Sequence, residues 1–115
     1  MRHRKKGRKF GLKRNQRKAL LKGLAHNLII RGKILTTEAK AKELRSLAER
    51  LITYGKKQNP GGLRLILKHL PKISAYKIYN EIAKRHGTRN GGYTKITKIF
   101  SKRRDGAKIA RIELL

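Results

Sequence analysis

The chain has 115 residues and a formal net charge of +27, from 33 Lys and Arg against 6 Asp and Glu. This length predicts one domain, and the lack of cysteine excludes a disulfide framework and a cysteine-based zinc site. No apolar run approaches the roughly 18 residues of a membrane span, and the basic start lacks the apolar segment of a secretory signal. A charge this positive predicts a polyanionic partner, most simply a nucleic acid.

The N-terminal segment carries the densest charge. The first acidic residue is Glu38, and thirteen Lys and Arg precede it, ten of them within the first eighteen residues. Such a segment repels itself and has little to bury, so residues 1–14 are predicted to form an extended basic arm. Solubility needs a net charge of only about 2–8, which favours phosphate neutralisation over a solubilising tail. The predicted contacts in this arm are Arg2, His3, Arg4, Lys5, Lys6, Arg8, Lys9, Lys13 and Arg14.

Residues 15–115 are predicted to form a globular nucleic-acid-binding domain, beginning with two amphipathic helices. Asn15 is a candidate cap for the first helix, and Gly32 is a natural stop. Thr36 or Thr37 can cap the second helix, which is predicted to end at Gly55. Apolar residues recur at helical spacing along both segments, so their basic side chains fall on the opposite face. The predicted nucleic-acid contacts on these two faces are Arg17, Lys18, Lys22, Lys40 and Arg45.

Two Gly-containing segments, 55–62 and 87–92, are predicted to be loops. Between them the pattern predicts a short apolar helix from Leu63 to Leu70, stopped by Pro71, and a fourth helix capped by Ser74.

The end of the chain has the composition of strands. Residues 93–100 are rich in Thr, Ile and aromatic side chains, and residues 107–115 alternate between apolar and charged side chains. Asp105-Gly106 between them is a strong hairpin signal, and the short segment 33–35 could add a third strand. The predicted fold class is therefore α+β, with about four helices followed by a C-terminal β-hairpin.

The loop before the first of these strands is a second candidate contact. Paired Gly91 and Gly92 permit close backbone approach, Tyr93 offers a stacking face, and Arg89 and Lys95 flank them. From spacing alone, a plain helix-to-strand turn with Tyr93 in the core is an equally good interpretation. The loop lacks a phosphate-loop pattern, so no nucleotide triphosphate site is predicted.

The sequence contains no recognisable catalytic or metal-binding pattern. The histidines show no zinc spacing; His26, His69 and His86 are interpreted as helix-surface or cap residues. No nucleophile motif or dinucleotide fingerprint is present either. We therefore expect no enzyme, no metal, no cofactor and no small-molecule substrate.

Four segments of the sequence carry a family resemblance. They are M-R-H-R-K-K-G-R-K-F with Arg14-Asn15 at the start, T-T-E-A-K-A-K-E-L-R at 36–45, G-G-Y-T-K-I at 91–96 and I-E-L at 112–114. Together with the intervening matches they span about two-thirds of the chain. They resemble the bacterial ribosomal large-subunit protein seventeen family. Lys95 stands where that family usually has Arg, Asp105-Gly106 stands where Gly-Asp is commoner, and the stretch 56–80 does not match.

The resemblance implies an α+β fold and binding to large-subunit ribosomal RNA in the cytoplasm. It implies a place on the solvent side of the subunit, near the exit of the nascent-chain tunnel and beside neighbouring large-subunit ribosomal proteins. The residues that it implies to be RNA-facing or RNA-supporting are Asn15, Arg89, Gly91, Gly92, Tyr93 and Thr94.

Two other classes of protein share this charge. One is a free-standing basic architectural or chaperone protein for DNA or RNA, which would leave its nucleic acid in moderate salt. The other is a membrane-active cationic protein, which would use a basic amphipathic helix alone. The first helix suits that role weakly, because its apolar face is better used in a core.

Overall fold

The fold is that of a computed structural model, which describes residues 13–99 and 108–115. Residues 1–12, and with them seven of the predicted arm contacts, lie outside the described residues, as does the hairpin turn predicted at Asp105-Gly106. The elements in chain order are α1 (Arg14–Arg31), β1 (Lys33–Thr37), α2 (Glu38–Lys56), α3 (Pro60–Leu67), α4 (Lys72–Lys77), a π-helical turn (Ile78–Ile82), α5 (Ala83–Arg85), β2 (Thr94–Ile99) and β3 (Ile109–Leu114).

The three strands form one antiparallel sheet in the order β1-β3-β2. Ile112 at its centre pairs with Ile34 on one side and Ile96 on the other. The sheet therefore joins the two ends of the domain, because β1 lies between the first two helices whereas β2 and β3 close the chain. The prediction of an α+β fold with a third strand near residues 33–35 is confirmed.

Helix α2 lies at the centre of the fold. It packs against α1, α3, the π-helical turn with α5, and all three strands. Leu44, Leu51 and Ile52 on its inner stripe are fully buried, together with Ile66 of α3 and Ile112 of β3. Each such side chain contributes about 1.5–3 kcal/mol through removal from water, so the core on α2 holds the helices to the sheet.

The predicted signals at the α1–α2 connection are confirmed. Gly32 adopts a φ of 82°, a left-handed conformation that favours glycine, and its N–H donates to Leu28 O over 2.7 Å. Thr37 caps α2, because its Oγ1 accepts from the N–H of Lys40 at 3.4 Å. Glu38 Oε1 lies 3.1 Å from Lys42 Nζ, and this bond lowers the pKa of the Glu38 carboxyl.

The predicted cap Asn15 is wrong by two residues. Helix α1 begins at Arg14, and Lys13 is its N-cap. The N–H of Lys13 donates to Oε1 of Gln16 over 3.2 Å, so a glutamine three residues into the helix fixes its start. Asn15 is an exposed residue of the first turn, and the segment predicted as an arm ends one residue inside α1.

The predicted cap Ser74 is also wrong. Helix α4 begins at Lys72 with Pro71 as its N-cap, and Ser74 lies fully buried in the first turn. The Ser74 hydroxyl donates to Pro71 O over 3.2 Å and lies 2.8 Å from Nδ1 of His26 on α1. The hydroxyl therefore joins two helices instead of starting one.

Gly55 does not end α2, which continues to Lys56. Gly55 is buried, and a Cβ there would lie 3.0 Å from Cβ of Ala83 and 3.1 Å from Cγ2 of Ile78. The absence of a side chain therefore lets α2 approach the π-helical turn and α5 closely. Gly55 is therefore required by the packing between these elements and does not mark the end of α2.

The loop predicted at 55–62 is much shorter in the structure. Asn59 caps α3 by accepting the N–H of Gly62 at 2.7 Å, and Pro60 occupies the first helical position, where its missing N–H costs nothing. Only residues 57–59 connect the two helices. Gln58, with a φ of 50°, donates from Nε2 to Gly55 O and Tyr79 O, both at 2.8 Å, which holds this tight turn.

Candidate nucleic-acid interface

The basic face predicted on α1 is present and open. Arg14, Lys18 and Lys22 are exposed, and their spacing of four residues places them on one stripe with a rise of about 6 Å from each to the next. This stripe starts at the first turn of the helix, directly after the basic N-terminal segment. The other predicted contacts on α1 and α2 are the exposed Lys13, Asn15 and Arg45 and the half-buried Arg17 and Lys40.

The turn before β2 is shaped by two left-handed glycines. Gly91 has a φ of 90° and Gly92 a φ of 66°, and a Cβ on either would meet no atom within 4 Å. Glycine is therefore required by the backbone conformation and not by crowding from the protein. Nη1 of the exposed Arg89 donates to Gly92 O over 3.0 Å, and Lys95 is exposed at the start of β2. The turn thus presents backbone and two cations to solvent.

Tyr93 lies in the core, with 2 % of its surface exposed. Its N–H donates to Glu49 Oε1 over 3.0 Å and its hydroxyl donates to Arg89 O over 3.0 Å. Lys56 Nζ donates to Arg89 O and also to the Tyr93 hydroxyl, over 2.9 Å. The bond from Lys56 to the hydroxyl lowers the pKa of the phenol. The ring therefore supports the turn from below, and the stacking face that the sequence suggested is not available. Thr94 is buried beside it.

Sequence analysis named Lys95 but missed the residues beside it on the outer face of the sheet. Ile34, Ile112 and Ile96 form a row that packs on the core, so the next row points away from it. That row places Lys33, Glu113 and Lys95 side by side. The row on the other side of Ile112 contains Arg111 and also points away from the core. The period-2 alternation in β3 indicated its two faces, but the partners of each residue depend on the strand register.

Neither a metal-binding cluster nor a membrane-spanning helix is found among the described residues. Among residues 13–99 and 108–115, no group of three His, Cys, Asp or Glu side chains could hold a metal ion. Within the same ranges, no helix is both long and apolar enough to cross a membrane.

Comparison with known proteins decides the family. The family model described as Ribosomal protein L17 matches residues 20–115. A large ribosomal subunit protein bL17 from Thermodesulfovibrio yellowstonii is 47% identical over 116 aligned residues, which cover 100% of this chain and 87% of the relative. The bL17 proteins of Gemmatimonas aurantiaca and Fusobacterium nucleatum are 47% and 44% identical, with 100% of this chain and 98% and 100% of the relatives covered. The chain belongs to the ribosomal protein L17 family.

Membership of the L17 family confirms the resemblance on which the sequence interpretation depended. This family consists of structural ribosomal proteins, so the chain is not an enzyme. The alignments with the bL17 relatives span the whole chain and thus include the basic segment 1–12, although the family model itself begins at residue 20.

Acid is expected to destabilise this L17-family chain through His86, the C-cap of α5. Burial first, and then the neighbouring Arg85, lowers the pKa of His86 from 6.5. His86 therefore takes up a proton more readily in the unfolded chain than in the folded chain. The free energy of unfolding is highest above about pH 6.5 and decreases as the pH falls below that value. Thermal unfolding of the free protein between about pH 7.5 and pH 5.5 should show this fall.

The variant His86→Gln provides the control, because it cannot titrate. Its melting temperature should fall less over the same pH range than that of the wild-type protein. Part of the fall should remain, since burial also lowers the pKa of His69. An equal fall in both proteins would show that His86 does not govern the acid response.

Proposed function

We propose that this chain is a structural component of the large subunit of a bacterial, cytoplasmic ribosome, where it binds large-subunit ribosomal RNA beside neighbouring ribosomal proteins. We place it on the solvent side, near the exit of the nascent-chain tunnel. The observation that carries the proposal is the charge distribution: 33 Lys and Arg against 6 acids, in a chain whose relatives are named large ribosomal subunit proteins. A charge of this size lowers the stability of a free protein and is neutralised by phosphates.

The acids do not offset this charge at the proposed interface, because several are used inside the protein. Glu38 binds Lys42 and lies 3.7 Å from Lys98, and Glu49 accepts the N–H of Tyr93. These carboxylates hold elements together. The exposed surface of α1, in contrast, presents cations in its first three turns and at its last residue, and this helix contains no acid.

The basic arm and the α1 stripe would act as one continuous surface. Residues 1–12 lead directly to Lys13 and the exposed Arg14, so the arm and the stripe are adjacent in the chain. In this proposal the arm threads into folded RNA, its arginines fork onto phosphates or base edges, and its lysines act as point charges. The binding mechanism is counterion replacement with shape fit and involves no covalent chemistry.

The glycine turn would provide a second contact on the globular part. Gly92 is exposed and backbone there can approach an RNA strand closely, while Arg89 and Lys95 supply charge. Tyr93 and Thr94 would act as supports, since both are buried. The bond from Arg89 to Gly92 O fixes the turn before RNA arrives, which lowers the entropic cost of binding.

The test is sedimentation of the tagged full-length protein from a bacterial lysate, before and after a wash at about half-molar salt. Exposed charge contacts weaken steeply with salt, whereas an arm held within folded RNA should be retained. We expect the protein to stay with the large-subunit peak after the wash. Release to the top of the gradient, or spread over nucleic acid of all sizes, would favour a free-standing nucleic-acid binder and contradict the proposal.

A further inference from the structure

A cleft separates α1 from the end of α3 and the turn that follows it. It has a volume of about 480 Å³, and an adjoining cavity of about 260 Å³ shares part of its wall. We call the two together the α1–α3 cleft. Its basic lining residues come from α1, α2 and the turn after α3, and they are Lys18, Lys22, His26, Arg50, Lys68 and His69.

The charge of the α1–α3 cleft is uncompensated by its own walls. Within the described part of the chain, no Asp or Glu lines either cavity. Burial, followed by Arg50, Lys22, Lys18 and Lys68, lowers the pKa of His69. These cations are therefore close enough to oppose a further positive charge among them. A bound anion would relieve their mutual repulsion.

His26 is held at the wall of the cleft by a buried partner. The Ser74 hydroxyl donates its proton to Pro71 O at 3.2 Å, so its lone pair accepts from Nδ1–H of His26 at 2.8 Å. Ser74 is fully buried, which fixes this arrangement. The orientation leaves Nε2 of His26 as the ring nitrogen available to a ligand in the cleft.

Gly23 lines the same cleft from the middle of α1. A glycine inside a helix costs about 0.5–1 kcal/mol relative to alanine. Among the described residues nothing requires a glycine there, because Gly23 lies within a helix and a Cβ on it would meet no described atom within 4 Å. The missing side chain keeps the cleft open instead.

We propose that the α1–α3 cleft binds a backbone phosphate group of an RNA strand. Lys22, Lys68 and Arg50 supply the charge and donate hydrogen bonds to the phosphate oxygens, and His26 and His69 line the cleft beside them. The inference rests on the proposed function, since ribosomal RNA provides the strand. It adds an RNA contact on the side of α1 that faces the end of α3, and only Lys68 and His69 of its basic residues lie in the stretch 56–80.

The first test compares Gly23→Glu with Gly23→Gln, which have the same size and differ in charge. Both should fold, because the site is open and both residues favour a helix over glycine. Binding to a transcript of large-subunit ribosomal RNA should be about tenfold weaker for the Glu variant, because its carboxylate repels the phosphate at short range. Equal affinities of the two variants would overturn the inference.

This comparison separates the inference from the proposed function. If wild-type protein binds the ribosomal transcript no better than it binds transfer RNA, the proposed function fails. If wild-type protein prefers the transcript but the Glu and Gln variants bind alike, only the cleft inference fails.

A second test follows His69 by NMR titration of the full-length protein. A short single-stranded RNA should raise the pKa of His69, because a phosphate beside the ring offsets Arg50 and the three lysines. Inorganic phosphate at the same phosphate concentration should have little effect. An equal rise with inorganic phosphate would assign the cleft to small free anions instead of RNA, and an unchanged pKa with RNA would overturn the inference.

Discussion

Deleting residues 1–12 is expected to reduce RNA affinity more than any single substitution in the chain. The deletion removes six Lys and Arg, namely Arg2, Arg4, Lys5, Lys6, Arg8 and Lys9. If each neutralises one phosphate, the slope of log affinity against log salt should become shallower by about 4–5, since each contact contributes about 0.7–0.9. Filter binding of large-subunit ribosomal RNA over a series of salt concentrations would measure both the affinity and the slope.

The deletion is placed so that it leaves the globular domain intact. Lys13 is the N-cap of α1 and its N–H bonds to Gln16, so a chain that starts at residue 13 retains the first helical turn. The melting temperature of the free protein should therefore not fall. A variant with the six cations replaced by Gln provides the control, because it keeps the length and removes the charge. A salt slope that is unchanged in both variants would show that RNA is bound by the domain without the arm.

Helices α1 and α2 could be predicted from the sequence because their signals are local. The apolar stripe of each helix lies within it, and Gly32 and Thr37 directly flank the helices that they cap. Strand β1 was only a possibility, since five residues between two helices become a strand when β3, more than seventy residues later, pairs with them. No local pattern specifies that partner or its register.

The errors at Gly55 and Pro60 have a common physical origin. Glycine and proline interrupt helices on average, but Pro60 stands in the first turn, where the N–H has no partner within the helix, and Gly55 meets the Cβ of Ala83 across a tight contact. Composition gives the residue types, whereas their effect depends on the cap before them or on the helix opposite. A sequence with Asn one residue before Pro did contain the correct cap signal.

Some residues of the candidate interface could likewise be predicted from the sequence, and others could not. The cations of the arm and of α1 are readable because charge density is a property of the sequence itself. The burial of Tyr93 was undecided, since tyrosine suits both a core and a stacking surface. The α1–α3 cleft could not be predicted at all, because Lys22, Arg50 and Lys68 meet only after α1, α2 and α3 have packed.

Gly62→Ala is expected to destabilise the protein by about 3 kcal/mol, the upper part of the range for overpacking. A Cβ on Gly62 would overlap the backbone oxygen of Tyr54, which belongs to α2 and cannot rotate away as a side chain could. Displacing the first turn of α3 to relieve this contact would also break the bond from the Gly62 N–H to Asn59 Oδ1, at a further cost of about 1 kcal/mol. Urea denaturation would report the change as a lower midpoint.

Gly61→Ala is the matched control, one residue earlier in the same helical turn. The nearest atom to a Cβ on Gly61 would be Oδ1 of Asn59 at 3.5 Å, which is an ordinary van der Waals contact, and the φ of Gly61 is not left-handed. Alanine there restricts the unfolded chain without strain in the folded one, so we expect a midpoint that is unchanged or raised by the equivalent of about 0.4–1 kcal/mol. If both variants unfold at the same urea concentration, α3 does not pack on the backbone of α2 as described, because the overlap with Tyr54 O is expected for Gly62→Ala and not for Gly61→Ala.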